Sequence, residues 1–205
     1  MATFQTEEGS PAMILKYLPT IGRMQAAELQ LCAGRVPYTR ETGSSTPTMH
    51  VKDKEQPMTE IREIEAYCAD IAGNIPWTTL RGTRFLRSKR MKEYIEHNET
   101  VMADCHNLID AMARCESKRE MDHFSSVMVP KHLENFLERF EDDFYAGSKP
   151  GAADISLFNT LNLITRANIG WEESFPELKC HYDTVSRMCL IPAYLDSTRD
   201  APLGF

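Results

Sequence analysis

The chain has 205 residues, of which 42% are hydrophobic and 26% charged, and its formal net charge is -7. This apolar fraction is too high for a disordered protein, and the excess of acidic residues argues against a general nucleic-acid binder. No apolar run exceeds four residues, whereas a membrane span needs about 20 and the core of a signal peptide about 7. The composition therefore predicts a cytoplasmic globular protein that binds neither membranes nor nucleic acid.

The first third of the chain predicts a small α/β unit. Residues 1–11 are polar and predict a flexible tail, and residues 13–18 predict a short strand. A helix is expected from Thr20 to a C-terminal Gly34, followed by a second strand over 35–40, which together have the length of a βαβ unit. A third strand is expected over 46–51, a short fourth over 57–59, and a helix from 59 or 60 to 71.

The remainder of the chain predicts helices only. Apolar residues recur every three or four positions over 91–115, which is typical of an amphipathic helix. A second run over 121–140 contains Pro130, which should kink or split it. Residues 154–167 are apolar on nearly every face and predict a buried central helix, and two shorter helices are expected over 175–189 and 191–197. The predicted fold class is therefore α/β plus all-α, with a tail over 1–11, a first domain over 12–75 and an all-helical domain over 76–205.

The six cysteines are widely spread and contain no CxxC pair. In a chain of this length they predict free, mostly buried thiols rather than a disulfide framework or a zinc site. They are Cys32, Cys68, Cys105, Cys115, Cys180 and Cys189.

Four stretches, in this order, resemble the cytosolic glutathione transferases, most closely their tyrosine-type classes (sigma, mu and pi). Residues 15–23 contain Tyr17 followed by the pair Gly22-Arg23, and residues 46–49 match the segment that carries a cis-proline in the family. Residues 147–154 resemble the capping motif before the family's central helix, with Asp154 as its stabilising acid. Residues 175–178, with 191–195, resemble the family's C-terminal segment.

The resemblance implies a thioredoxin-like N-terminal domain, an all-helical C-terminal domain and the conjugation of glutathione, a co-substrate, to apolar electrophiles. Such a detoxifying enzyme is expected to be a homodimer and to need no metal. The thiolate is the reactive form, and a hydroxyl donor lowers the pKa of a thiol by stabilising its anion. Tyr17 is the implied donor and Arg23 a second electrostatic contributor. Without the family context, the simpler interpretation is that Tyr17 is a half-buried aromatic residue of a strand.

The implied glutathione-binding residues are Pro47, Thr48, Met49, Glu60 and Ile61. A cis peptide bond at Pro47 would present the backbone of Thr48 to a tripeptide in the manner of an added strand. The alternative is an ordinary trans proline in a turn. Glu60 could bind the ammonium group of glutathione.

Two departures from the family bear on glutathione affinity. The family has a serine where this chain has Ile61, and the loss of one charge-assisted hydrogen bond costs about 1.5–3 kcal/mol. Thr59 could supply a hydroxyl from one position away. Between residues 40 and 47 the chain is too short for the helix that holds the glycine end of glutathione in the family. The basic run over 81–92 could replace that contact, although a solvated face or a dimer rim is the simpler interpretation.

These departures leave three hypotheses open. The first is a glutathione transferase, and the second is a non-catalytic relative that serves as a ligand-binding, crystallin-like or scaffold protein. The third is a transferase for a different thiol.

Overall fold

A computed structural model describes residues 13–52, 54–74, 89–140, 144–145 and 150–204. These residues form two compact units, one made of those up to 74 together with 187–204, and one made of those from 89 to 186. The predicted tail and the predicted boundary between 75 and 76 lie outside the described residues. The α/β plus all-α fold class is confirmed, but residues 187–204, which the sequence pattern placed in the helical domain, pack with the first unit.

The first unit contains a three-stranded sheet of mixed direction. The strands are β1 (Met13–Tyr17), β2 (Thr39–Thr42) and β3 (Thr48–Val51). The sheet order is β2-β1-β3, with β1 parallel to β2 and antiparallel to β3. The predicted fourth strand is reduced to an isolated bridge between Met49 and Met58. β2 begins later than predicted because Arg35 takes a φ of 56° and the Val36 N–H bonds back to the preceding helix.

The first unit also contains three helices. They are α1 (Gln25–Ala33), α2 (Ile61–Ile71) and α8 (Ile191–Ser197). α1 contacts both α2 and α8. At the end of α1, a Cβ atom on Gly34 would lie 2.5 Å from the Cβ and the carbonyl oxygen of Ala72. Position 34 is therefore a glycine because the two helix ends approach each other closely, and the left-handed residue that follows the end of α1 is Arg35, with a φ of 56°.

The elements named in the second unit are all helices. Its elements are α3 (Lys89–Ala113), α4 (Lys118–His123), a π-helical segment (Phe124–Met128), α5 (Val129–Leu137), α6 (Ala152–Arg166) and α7 (Pro176–Ser186). The break predicted at Pro130 is confirmed, since Pro130 lies in the first turn of α5 directly after the π-helical segment. Residues 152–164 of α6 are all buried, and α6 packs against α3 and α7.

The carboxylate of Asp154 organises the start of α6. It accepts hydrogen bonds from the N–H of Gly151 at 2.8 Å and from the N–H of Tyr145 at 3.1 Å. The Nε2 atom of His181 lies 3.1 Å from the same carboxylate. Asp154 is fully buried, and these three contacts give its carboxylate oxygens partners inside the protein. This confirms its predicted capping role.

Candidate functional site

Tyr17 is the last residue of β1 and belongs to the buried face of that strand, with 4% of its surface exposed. Its carbonyl oxygen accepts a hydrogen bond from the N–H of Gly43 at 3.3 Å. Among the described residues, the Tyr17 hydroxyl has no hydrogen-bond partner. The fold therefore holds the ring in place and leaves the O–H group available as a donor.

The strand register brings Tyr17 and Pro47 to the same end of the sheet. Lys16 is paired with Thr48 across β1 and β3, so the next pair in register is Tyr17 and Pro47. On the other side, Tyr17 is paired with Thr42, the last residue of β2. One catalytic candidate and the start of the predicted binding segment are therefore neighbours.

Arg23 lies before α1 and not in its first turn, so that part of the prediction is wrong. α1 begins at Gln25, with Met24 as its N-cap residue. The helix begins late because Ile21 pairs in an extended bridge with Leu203, which is incompatible with helical backbone at that position.

The peptide bond before Pro47 is trans, so the predicted cis-proline is wrong. The carbonyl oxygen of Thr46, which belongs to this bond, accepts hydrogen bonds from the hydroxyls of Ser44 at 2.6 Å and Thr48 at 3.1 Å. These short-range bonds form a local turn that fixes the orientation of the carbonyl.

The backbone of β3 is already paired on both sides. The N–H and C=O of Met49 both bond to Met58, at 2.9 and 3.0 Å. Successive residues of a strand direct these groups to opposite edges, so those of Thr48 face β1. The addition of a peptide as a strand beside Thr48 therefore finds no free edge, and the buried side chain of Met49 belongs to the core.

Glu60 and Ile61 stand at the start of α2, an 11-residue helix. Glu60 is its N-cap residue, with an extended backbone and an exposed side chain that makes no capping hydrogen bond. Ile61 is the first helical residue and is half-buried. The N–H groups in the first turn of a helix lack partners within the helix and favour anions, and here an exposed carboxylate accompanies them. The neighbouring hydroxyl of Thr59 is exposed.

The shortened connection between β2 and β3 contains no helix, as predicted. Residues 43–47 form a turn in which Gly43 has a φ of +125°, a backbone region that strongly favours glycine. The glycine-end contact that this helix provides in glutathione transferases is therefore missing from this segment. In the basic run, 81–88 lie outside the described residues, and 89–92 form the start of α3.

Sequence reasoning missed a buried polar network in the first unit. The carboxylate of Glu28, on α1, lies 3.4 Å from the Arg40 guanidinium and accepts a hydrogen bond from the Tyr194 hydroxyl at 2.5 Å. Burial raises the pKa of Glu28, and the charge of Arg40 partly opposes this effect. The pKa of Tyr38 is also raised by burial, with the nearby Glu28 charge adding to the shift. An acidic residue, Glu28, within a helix that is otherwise buried was the signal that could have indicated this network. Its partners Arg40 and Tyr194 are too distant in sequence to be identified from that signal.

The cysteines are free thiols with differing exposure. Three of the six are buried, and Cys180 and Cys189 are exposed. Burial raises the pKa of the Cys32 thiol to about 12, so Cys32 is protonated at neutral pH and is a poor nucleophile. Among the described residues, no group of three or more His, Cys, Asp or Glu side chains is arranged to hold a metal ion.

Residues 103–198 match the family model of the glutathione S-transferase C-terminal domain. A pi-class glutathione S-transferase of Onchocerca volvulus superposes with a TM-score of 0.77 and 16% sequence identity, over 95% of this chain and 98% of its own. A sigma-class glutathione S-transferase of Fasciola hepatica gives a TM-score of 0.66 and 17% identity, over 91% and 96%. A prostaglandin synthase D of Nilaparvata lugens gives a TM-score of 0.69 and 17% sequence identity, over 94% of this chain and 100% of its own. No curated protein sequence matches the chain significantly.

These matches confirm the resemblance found in the sequence. The chain has the fold of the cytosolic glutathione transferases, and its C-terminal half carries the C-terminal domain of that family. The described residues include no helix with the length and apolar character that a membrane span requires.

Proposed function

We propose that this protein is a cytoplasmic, homodimeric glutathione transferase that conjugates glutathione to apolar electrophiles in detoxification, with the Tyr17 hydroxyl stabilising the thiolate. The observation that carries this proposal is the placement of Tyr17, which is fixed at the end of β1 beside Pro47 with no partner for its hydroxyl among the described residues. A free thiol is largely protonated at neutral pH, and each unit by which its pKa falls corresponds to about 1.4 kcal/mol. A fixed O–H donor aimed at the sulfur supplies such stabilisation.

The proposed glutathione-binding residues are Pro47, Thr48, Met49, Glu60 and Ile61. Glu60 is exposed at the N-terminus of α2, and the first-turn N–H groups of a helix have no partner within the helix and favour anions, which suits the charged amino-acid end of glutathione. Pro47 adjoins Tyr17 in register, whereas the backbone groups of Thr48 and Met49 are engaged within the sheet. Together with the missing hydroxyl at Ile61, this predicts a weaker affinity for glutathione than a complete site would give.

The test combines binding and turnover. Glutathione binding is measured by calorimetry, and conjugation is measured with a general aromatic electrophile, for wild type and Tyr17→Phe. We expect the variant to lower kcat by at least tenfold and to change the KM for glutathione less than twofold, because the ring and its packing remain. Tyr67→Phe is the matched control, since it removes another hydroxyl from the same unit, on α2. Equal rates in wild type and Tyr17→Phe would remove Tyr17 from the mechanism.

A second candidate function is a non-catalytic, ligand-binding or scaffold protein with this fold. The observations that favour it are the trans peptide bond at Pro47 and the fully paired backbone at Met49. It predicts that the wild type is not retained on immobilised glutathione and gives no conjugate. Retention with turnover would contradict it.

A further inference from the structure

The connecting loop, defined as residues 18–22, joins Tyr17 to Arg23, the two residues proposed to act on the thiol. It has no ladder or helix of its own, so its backbone polar groups need partners from elsewhere in the chain. Five of these groups find them. The carbonyl oxygens of Leu18 and Thr20 and both the N–H and the C=O of Ile21 bond to Arg40 or to the segment 202–204. The carbonyl oxygen of Gly22 accepts from the N–H of Gln25 at the start of α1.

Arg40 holds one side of the connecting loop. Its Nη2 atom donates to the carbonyl oxygen of Leu18 at 3.2 Å and to that of Thr20 at 2.9 Å. Its Nε atom lies 3.4 Å from the Glu28 carboxylate. Because a guanidinium group is planar with donors in fixed directions, these contacts fix the two carbonyls relative to both β2 and α1. The side chain of Arg40 is 22% exposed, so water competes weakly for these bonds.

The segment 202–204 holds the other side of the connecting loop. The carbonyl oxygen of Pro202 accepts from the N–H of Ile21 at 2.9 Å, and the N–H of Gly204 donates to the carbonyl oxygen of Ile21 at 2.9 Å. A Cβ atom on Gly204 would lie 2.6–2.7 Å from three side-chain atoms of Thr20. The absence of a side chain at Gly204 therefore allows this close pairing.

The two supports are joined through the buried network. The carboxylate of Glu28, which faces Arg40, accepts a hydrogen bond from Tyr194 on α8, a helix that shortly precedes the segment 202–204. α8 also packs directly against α1. Through Arg40 and Glu28, the strand β2 and the helices α1 and α8 are thus linked to one side of the connecting loop, and the segment 202–204 pairs with its other side.

We propose that Arg40 is a positioning residue of the transferase reaction, which holds the connecting loop against the segment 202–204 and thereby fixes Tyr17 and Arg23 toward the bound thiol. This inference rests on the proposed function. Arg40 acts through the loop and does not need to touch either substrate.

Arg40→Lys separates this role from simple charge compensation. Lysine keeps a positive charge near Glu28, but a single ammonium group on a flexible stem does not reproduce the planar set of donors. Two readouts are measured on the full chain. Hydrogen exchange of the Ile21 amide reports the loop directly, and the pH dependence of conjugation, together with the ultraviolet absorbance of bound thiolate, reports the pKa of the thiol.

We expect Arg40→Lys to speed exchange of the Ile21 amide about tenfold and to raise the apparent pKa of the bound thiol by about one unit, which lowers the rate at pH 6.5 about tenfold. Glu41→Gln is the matched control. It removes the partly exposed ion pair between Lys16 on β1 and Glu41 on β2, whose charged atoms are 2.8 Å apart. Both readouts should stay at wild-type values in this control.

Gly204→Ala perturbs the contact between the connecting loop and the segment 202–204. It replaces Arg40→Lys as the test variant if Arg40→Lys folds poorly. It should speed exchange of the Ile21 amide and shift the pH profile in the same direction. The proposal is overturned if either folded variant leaves both readouts unchanged, or if the loop loosens without any change in the pH profile. A wild type that neither binds nor conjugates glutathione overturns the proposed function and the catalytic consequence with it, and exchange at Ile21 then decides whether Arg40 holds the loop.

Discussion

Asp154→Ala is expected to cause a large loss of stability in the helical unit. The substitution removes an acceptor that serves the N–H of Gly151 at 2.8 Å, the N–H of Tyr145 at 3.1 Å and the ring of His181 at 3.1 Å. All of these contacts are buried. Two backbone donors and one imidazole are then left without their partner, inside a region that water does not reach.

The size of the effect follows from these contacts. A hydrogen bond to a charged group contributes about 1.5–3 kcal/mol, but the three contacts share one carboxylate whose own desolvation opposes folding. Removal of one partner from a buried charged cluster costs about 3–5 kcal/mol, and we expect a value in this range. With a urea dependence of about 2–3 kcal/mol per molar for a chain of this size, the unfolding midpoint should fall by about 1–2 M.

The assay is urea unfolding followed by far-ultraviolet circular dichroism at pH 7. Asp104→Asn is the matched control, because it breaks the ion pair with Arg139 in the same unit, whose two side chains are 30% and 31% exposed. A partly exposed pair of this kind contributes less than about 1 kcal/mol. If Asp154→Ala lowered stability no more than the control, the reasoning that Asp154 organises the start of α6 would be refuted.

Three further predictions concern the first unit. Because burial raises the pKa of Glu28 above its usual 4.5, the folded chain keeps the proton at pH values where the unfolded chain has lost it. The free energy of unfolding relative to Glu28→Gln should therefore be largest below pH 4.5 and fall as the pH rises from there through the raised pKa, and parallel pH curves for the two proteins would contradict this. Gly34→Ala should destabilise by about 1–3 kcal/mol through its contact with Ala72, whereas Gly170→Ala, which meets nothing within 4 Å, should change thermal stability within about 0.5 kcal/mol. Ile61→Ser should tighten glutathione binding about 10- to 100-fold in calorimetry if α2 holds the amino-acid end of the ligand, and unchanged affinity would place that end elsewhere.

The sequence by itself determined the features that depend on local pattern. A short segment with no room for a helix before Pro19 predicted β1, helical periodicity predicted α2 and α3, and the broken helix at Pro130 followed from the missing N–H of proline. The buried central helix was also predictable, because an apolar run is a local signal, and the capping role of Asp154 followed from the resemblance to the family's capping motif. The missing helix between β2 and β3 followed from counting residues. Tyr17 was predicted as a site residue because a family pattern surrounds it.

Only the tertiary structure decided the features that depend on contacts between distant residues. α1 begins at Gln25 because Ile21 pairs with Leu203, and the proline bond is trans beside a turn that two hydroxyl groups stabilise. The bond between Glu28 and Tyr194 joins residues 166 positions apart. Local patterns carry no information on such pairs, because either side chain alone is compatible with many partners. The pKa of Glu28 is raised because the folded chain removes water from its carboxylate, and the contacts of Arg40 and Tyr194 with its two oxygens oppose that shift.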